Sequence, residues 1–270
     1  MDMLLRLYRT FNLLSFDVAI GSMISALYFS KLLIIEPSAY SIITLGLTVW
    51  IIYTADRLLD VRNSKGPATT DRHKFHQRYQ NQLWFSIVLV VLIIAALLLW
   101  LPQAVLKGGI LLAVMTGLYL FLHKKLLVKE FVIAILYTMG ILLPSWSLHN
   151  SSFSLGSYLL IAQFFIVALI NLLLFSWFDY ESDKSRGSAS FVTAYGKKLT
   201  SWVIWVLNIC SIGISGWMLF HFHTSSTLVF LFMTFILAII SLFPAYFSVN
   251  SRYRFLGDAV FFLPAVGIFI

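Results

Sequence analysis

The sequence predicts an all-α, polytopic membrane protein: a nine-transmembrane-helix bundle around a central cavity open to the cytosolic side. Three observations carry this expectation. Hydrophobic residues make up 60% of the 270 positions, charged residues only 11%, and the mean hydropathy is +0.90. A soluble globule has about 45–50% apolar and about 25% charged residues, so soluble folds are excluded. The apolar residues fall into nine runs, each near the ~20 residues a helix needs to cross the hydrocarbon core. The basic residues are segregated, with 17 of the 19 Lys and Arg on one side of a nine-span arrangement and only Lys31 and Lys107 on the other. That bias marks the cytosolic side and places the N-terminus there.

Taken in order, residues 1–12 set Arg6 and Arg9 among Leu4, Leu5, Leu7, Tyr8 and Phe11, the pattern of a short amphipathic helix lying at the interface. The runs follow at roughly 14–34, 39–62, 83–101, 104–122, 127–147, 155–178, 199–221, 226–248 and 254–270. Two connections are longer and more hydrophilic than the rest, Asn63 to Gln82 after the second run and Lys184 to Lys198 after the sixth. Four spans separate these corresponding positions, as in a weak internal duplication of a four-helix unit. One domain accounts for residues 1–270. The net charge of +8 lies between apolar runs, so it speaks for membrane orientation and not for nucleic acid. The single cysteine, Cys210, excludes a disulfide framework. No cleavable signal peptide is expected, since the first long run has no cleavage site behind it. The expected location is a multi-pass integral membrane protein, in the inner membrane if the cell is bacterial.

Five of the 11 acidic residues stand in two short segments. Asp56-Arg57-Leu58-Leu59-Asp60 ends the second run, and Asp179-Tyr180-Glu181-Ser182-Asp183 ends the sixth. Each holds two aspartates four residues apart, a spacing that puts both on one helix face, one turn apart. A single carboxylate at a span end most simply marks the water interface. Two similar pairs on one side, in corresponding positions, point instead to a shared site, because carboxylates at membrane depth are costly. Hard oxygen ligands of this kind suit Mg2+, which binds one or two carboxylates together with substrate phosphates. The two segments are therefore expected to face each other and hold a diphosphate through Mg2+. Arg72 and Lys74 follow the first segment, and Lys184 and Arg186 follow the second. Individually these are topology signals; as a group they are a candidate phosphate clamp. Tyr53, Trp50, Tyr137, Phe175, Trp177 and Phe178 lie near the segments or on helices expected to face them. Asp17 and Asp258, near the same ends of the first and last runs, either line the cavity mouth or pair with Arg9 and Arg254. His73 and His76 lack a third ligand for zinc and read as polar loop residues.

These residues resemble the UbiA superfamily of intramembrane prenyltransferases, in layout over nearly the whole chain. The resemblance is most specific at Asp179-Tyr180-Glu181-Ser182-Asp183-Lys184-Ser185-Arg186-Gly187, which is similar to the family's second motif. Phe191-Val192-Thr193-Ala194-Tyr195-Gly196-Lys197-Lys198 is similar to the apolar stretch that follows it. Tyr53-Thr54-Ala55-Asp56-Arg57-Leu58-Leu59-Asp60 matches the first motif in part; Asp17-Val18-Ala19-Ile20-Gly21-Ser22 and Lys129-Glu130 also fall where the family has related residues. The sequence departs from the pattern at Ile52 and Tyr53, at Phe175 and Ser176, and at Ala189, where the family carries amides, carboxylates or a lysine. The resemblance implies a Mg2+-dependent enzyme that takes a prenyl diphosphate within the bilayer. It makes Asp56, Asp60, Asp179 and Asp183 the metal ligands and catalytic carboxylates. Arg72 and Arg186 become diphosphate contacts, with Lys74, Lys184, Glu181 and Tyr53 completing the expected substrate site.

Three functions remain open at this level. The first is prenyl transfer to an aromatic or other lipophilic acceptor. The second is a terpene cyclase of the same superfamily, using the same ionisation without an acceptor. The third is a non-catalytic lipid-binding protein or a transporter. A transporter places ionisable residues near the bilayer midplane on broken helices, whereas here the carboxylates cluster at helix ends.

Overall fold

The structure is a computed structural model and describes residue 8 and residues 10–63, 71–122, 126–148, 153–222 and 225–269. Every element in the described residues is helical. The long helices are α1 (Phe16–Leu32), α2 (Ala39–Asn63), α4 (Gln80–Leu97), α5 (Gln103–Leu122), α6 (Lys129–Trp146), α7 (Leu155–Phe178), α9 (Phe191–Phe222) and α10 (Ser225–Leu242). Short helices fill the connections and the C-terminal region: α3 (Asp71–Arg78), α8 (Tyr180–Arg186), α11 (Pro244–Ser248), α12 (Arg252–Ala259) and α13 (Pro264–Phe269).

Burial separates central from peripheral helices. α7 is the central helix, with 61% of its apolar window buried, against 11% for α4 and for α5. It packs against α6, α9, α10 and α12. Phe164 on α7 is fully buried and meets Phe29, Tyr137, Phe230 and Phe261 from four other helical segments. Behind it, Gln163 donates to the Ser211 carbonyl at 3.2 Å and to the Ser215 hydroxyl at 2.5 Å, and Ser211 shares a 2.7 Å hydrogen bond with Thr234. Such polar pairs tie helices together where lipid offers no hydrophobic drive for association. α4 and α5 pack against α2 and α6 respectively and turn Leu, Val and Ile side chains outward, as suits helices whose outer surface meets hydrocarbon.

α1 is lined with small residues on its buried face, including Gly21, Ser22, Ser25 and Ala26. Small side chains let helix backbones approach closely. A Cβ on Gly21 would stand 3.1 Å from that of Phe261. Just before α1, Ser15 takes a left-handed backbone (φ 62°). The buried Arg57 guanidinium holds that turn, donating to the Leu13 carbonyl at 3.2 Å and to the Ser15 hydroxyl.

Six helices in the described residues are long and apolar enough to cross a membrane, or up to seven if the bent pair Ser226–Leu242 with Pro244–Phe269 is one span. The chain is thus a multi-pass helical membrane protein, but the expected count of nine is not reached by these measures. α1 has 17 residues. The eighth expected run stops at Leu242, where the chain bends by 92°. Pro244 is the cause available in the sequence: it lacks an N–H and clashes with the carbonyl one turn back, so it begins a helix instead of continuing one. The ninth run is broken again by a 3-10 turn at Val260–Phe262 and by Pro264. In α9, Gly196 at φ 83° separates a short first segment from the long one. Glycine reaches that conformation without steric cost.

Candidate functional site

Both acidic segments open on one cavity of about 260 Å³ at the same end of the bundle. On α2, Ile52, Tyr53, Asp56 and Arg57 line it, the i, i+1, i+4, i+5 pattern of a single helix face. Asp60 is the next position on that face of α2; its side chain lies outside the described residues. From the other side come Phe175, Ser176 and Asp179 at the end of α7, then Ser182 and Asp183 on α8. Asp179 is the hinge of this corner. It ends α7 and precedes α8, and its carbonyl accepts from the Asp183 N–H at 2.9 Å. α8 then stops at Gly187, left-handed at φ 66°, while Ser188 N–H closes back on the Asp183 carbonyl at 2.9 Å. This is a helix terminus of the kind that favours glycine.

The helical register also explains which expected residues miss the cavity. Glu181 stands two positions from Asp179 and Asp183, about 200° round α8, and its side chain is 79% exposed. Lys184 is exposed, with its ammonium 5.5 Å from the Tyr180 ring centre. Lys74 on α3 is exposed as well, and none of the three lines the cavity. These three expected substrate contacts stand on helix faces turned away from the cavity. The side chains of Arg72, Arg186 and His73 lie outside the described residues, as does Arg9.

Residues outside the two acidic segments also meet the cavity. Arg254 on α12 forms an ion pair with Asp179 Oδ2. Tyr253 donates its hydroxyl to Asp179 Oδ1 at 2.5 Å, and its ring stacks on Phe178 with centroids 4.2 Å apart. Arg254 thus pairs with Asp179, whereas the sequence leaves Asp258 either lining the cavity mouth or paired with Arg254. Asp258 itself lines the cavity and accepts from Asn12 Nδ2 at 3.1 Å. Asn12 also donates to Asp17, whose other oxygen accepts from the Val18 N–H at 2.9 Å. Tyr8 bonds the Phe255 carbonyl at 3.0 Å. Its phenol is pushed up by burial first, and then by the charges of Asp17 and Asp258.

Glu130 is a further group at the cavity. It stands in the first turn of α6, is only 2% exposed and lines the cavity. Its carboxylate accepts from the Ser176 hydroxyl and, through both oxygens at 3.1 Å, from the Phe191 N–H. It thereby joins α6, the end of α7 and the start of α9, and it fills the role of an N-terminal cap for α9. The available signals were weak but present. Asn171 is an amide inside an apolar run, and it too proves buried at the cavity wall. Lys129 and Glu130 break the fifth run at its start.

The donor set suits Mg2+ in type. No group of three or more His, Cys, Asp or Glu capable of holding a metal is present in the described residues, but Mg2+ commonly uses one or two protein carboxylates and takes its other ligands from phosphate and water. Asp56 and Asp183 open on the cavity and could serve; both Asp179 oxygens are engaged by Tyr253 and Arg254. The walls are aromatic, with Tyr53, Tyr119, Tyr137, Phe175, Tyr253 and Phe261 among them.

No family model and no curated protein matches the sequence. Solved structures do. A UbiA homologue from Aeropyrum pernix K1, in its apo form, superposes with a TM-score of 0.70 at 16% identity, over 93% of this chain and 96% of that one. A UbiA homologue from Archaeoglobus fulgidus, bound to GPP and Mg2+, gives 0.63 at 11% identity, over 98% and 99% of the two chains. A digeranylgeranylglyceryl phosphate synthase gives 0.57 at 17% identity, over 99% of each. At these identities the likeness is one of fold: the chain has the UbiA fold.

Proposed function

We propose that this chain, having the UbiA fold, is an intramembrane prenyltransferase of the UbiA superfamily. It ionises a prenyl diphosphate with Mg2+ and transfers the prenyl group to an aromatic or other lipophilic acceptor. The observation that carries this reading is the meeting of Asp56 with Asp179 and Asp183 around one cavity with aromatic walls. The A. fulgidus homologue, bound to DMAPP or GPP together with Mg2+, supports it.

Asp56 and Asp183 hold the metal in this reading, with Asp60 as the next position on the α2 face. Bound Mg2+ supplies positive charge against the negative charge that develops on the leaving diphosphate. The allylic C–O bond breaks, and its electron pair leaves with the diphosphate. The aromatic wall, with Tyr53, Tyr119 and Tyr137 among its residues, would stabilise the allylic cation through ring quadrupoles, and the packed bundle keeps bulk water from quenching it. A nucleophilic carbon of the acceptor forms the new bond and the acceptor then loses a proton. The acidic segments face the cytosol in this proposal, on the side that carries most of the basic residues.

The test is incubation of the purified protein with Mg2+ and prenyl diphosphates of several lengths, with and without an aromatic acceptor. Diphosphate release that needs the acceptor supports transfer. A new hydrocarbon formed without an acceptor replaces transfer with cyclisation. Release of neither product, under conditions in which a related enzyme turns over, ends the enzymatic reading.

A further inference from the structure

Arg254 is placed as no surface cation would be. Its guanidinium lies in the cavity wall, paired with Asp179, and its Nε donates to the Tyr253 hydroxyl at 3.3 Å. Its Cζ sits 5.2 Å from the Phe175 ring centre. Phe175 is one turn before Asp179 on α7, so the guanidinium spans a carboxylate and an aromatic face on the same helix. Tyr253 fastens the second oxygen of that carboxylate. The approach depends on Gly257, one turn further along α12. A Cβ there would stand 2.7 and 2.9 Å from Phe175 ring carbons. The nearest atom of all would be Asn171 Oδ1, so any larger residue requires the Asn171 and Phe175 side chains to shift. Among the described residues, the other cations that line the cavity differ. Arg57 is buried and donates to the Leu13 carbonyl and Ser15 hydroxyl, and Lys129 stands at the start of α6. Lys74 and Lys184 are outside the cavity altogether.

We propose that Arg254 is a diphosphate-binding cation of this site, held on Asp179 until the diphosphate arrives and then exchanged onto it. The inference rests on the prenyltransferase reading given above and deepens it. A guanidinium presents parallel N–H donors that match phosphate oxygens in pairs. While Arg254 occupies Asp179, the carboxylate is already neutralised and is a poor place for a second cation. Once the diphosphate draws the guanidinium away, Asp179 is released to take Mg2+. Diphosphate and metal thus bind with positive coupling, and the coupling is reciprocal.

The experiment is calorimetric titration of the full-length protein in detergent micelles with inorganic pyrophosphate, with Mg2+, and with each in the presence of the other. The proteins are the wild type, Arg254→Gln and Arg254→Lys. Arg254→Gln is expected to weaken pyrophosphate binding by about 10- to 100-fold, the worth of a charge-assisted hydrogen bond or two. It is also expected to bind Mg2+ alone more tightly than the wild type does, because Asp179 has lost its resident cation. Arg254→Lys, which keeps the charge and loses the fork, falls between the two for pyrophosphate. A merely structural role for Arg254 moves the melting temperature but does not raise Mg2+ affinity. Wild-type pyrophosphate affinity in Arg254→Gln, or unimproved Mg2+ binding in both variants, overturns the inference while leaving the prenyltransferase reading in place. Failure of the wild type to bind pyrophosphate even with Mg2+ overturns both.

Discussion

Replacing Glu130 with alanine removes the acceptor shared by three helices, and the cost can be worked from its contacts. The carboxylate is 2% exposed and accepts from the Ser176 hydroxyl and the Phe191 N–H. Alanine leaves two buried donors unmet, at about 1–3 kcal/mol each. Glu130 also borders the cavity, so water can reach part of the gap. The expected loss is therefore about 2–4 kcal/mol, toward the lower part of that sum. Glu130→Gln keeps one carbonyl oxygen and the side-chain volume, and should cost about 1–2 kcal/mol. Thermal melting in detergent, followed by retention of monodisperse protein, reads the series. The order wild type, glutamine, alanine is expected, and prenyl transfer should fall in the same order because Glu130 ties down the backbone that follows Asp183. An alanine variant that melts with the wild type would refute the reasoning. So would a glutamine variant that falls as far as alanine, since the lost acceptor could then not be the cause.

Other outcomes follow from the cavity. Asp56→Ala and Asp183→Ala should each lower prenyl transfer by at least about 10²-fold, the scale of removing one electrostatic stabiliser, while membrane insertion is unchanged; wild-type rates in both variants would remove these carboxylates from the chemistry. Chelation of divalent ions should stop turnover and added Mg2+ should restore it; full activity in excess chelator contradicts the metal assignment. Gly257→Ala forces α12 away from Phe175, at about 1–3 kcal/mol for overpacking, and should lower both melting temperature and pyrophosphate affinity, which calorimetry reads. Glu181→Ala and Lys184→Ala, on the outward face of α8, should leave turnover near wild type in the same assay; a large loss in either would move that face into the site.

What the amino-acid sequence determined by itself is whatever depends on neighbours along the chain. Run length and hydropathy make a helical membrane protein, because a backbone in hydrocarbon must satisfy its own hydrogen bonds. The four-residue spacing of Asp179 and Asp183 puts both on one face of a helix, and the structure shows both at the cavity. The same periodicity sends Glu181 outward, a distinction that the composition of the segment alone conceals. The break at Pro244 was also written in the chain, yet the hydropathy of the run from 226 to 248 masked it.

What only the tertiary structure decided is which distant groups meet. Arg254 reaches Asp179 across 75 positions, and Phe191 reaches Glu130 across 61. Nothing local distinguishes Arg254 from Arg252 or Lys184, all of them basic residues near span ends. Gly257, with no side chain to crowd Asn171 and Phe175, leaves room for α12 against α7 at this point. Helical periodicity specifies the face a residue occupies; the closeness of packed backbones specifies what that face touches.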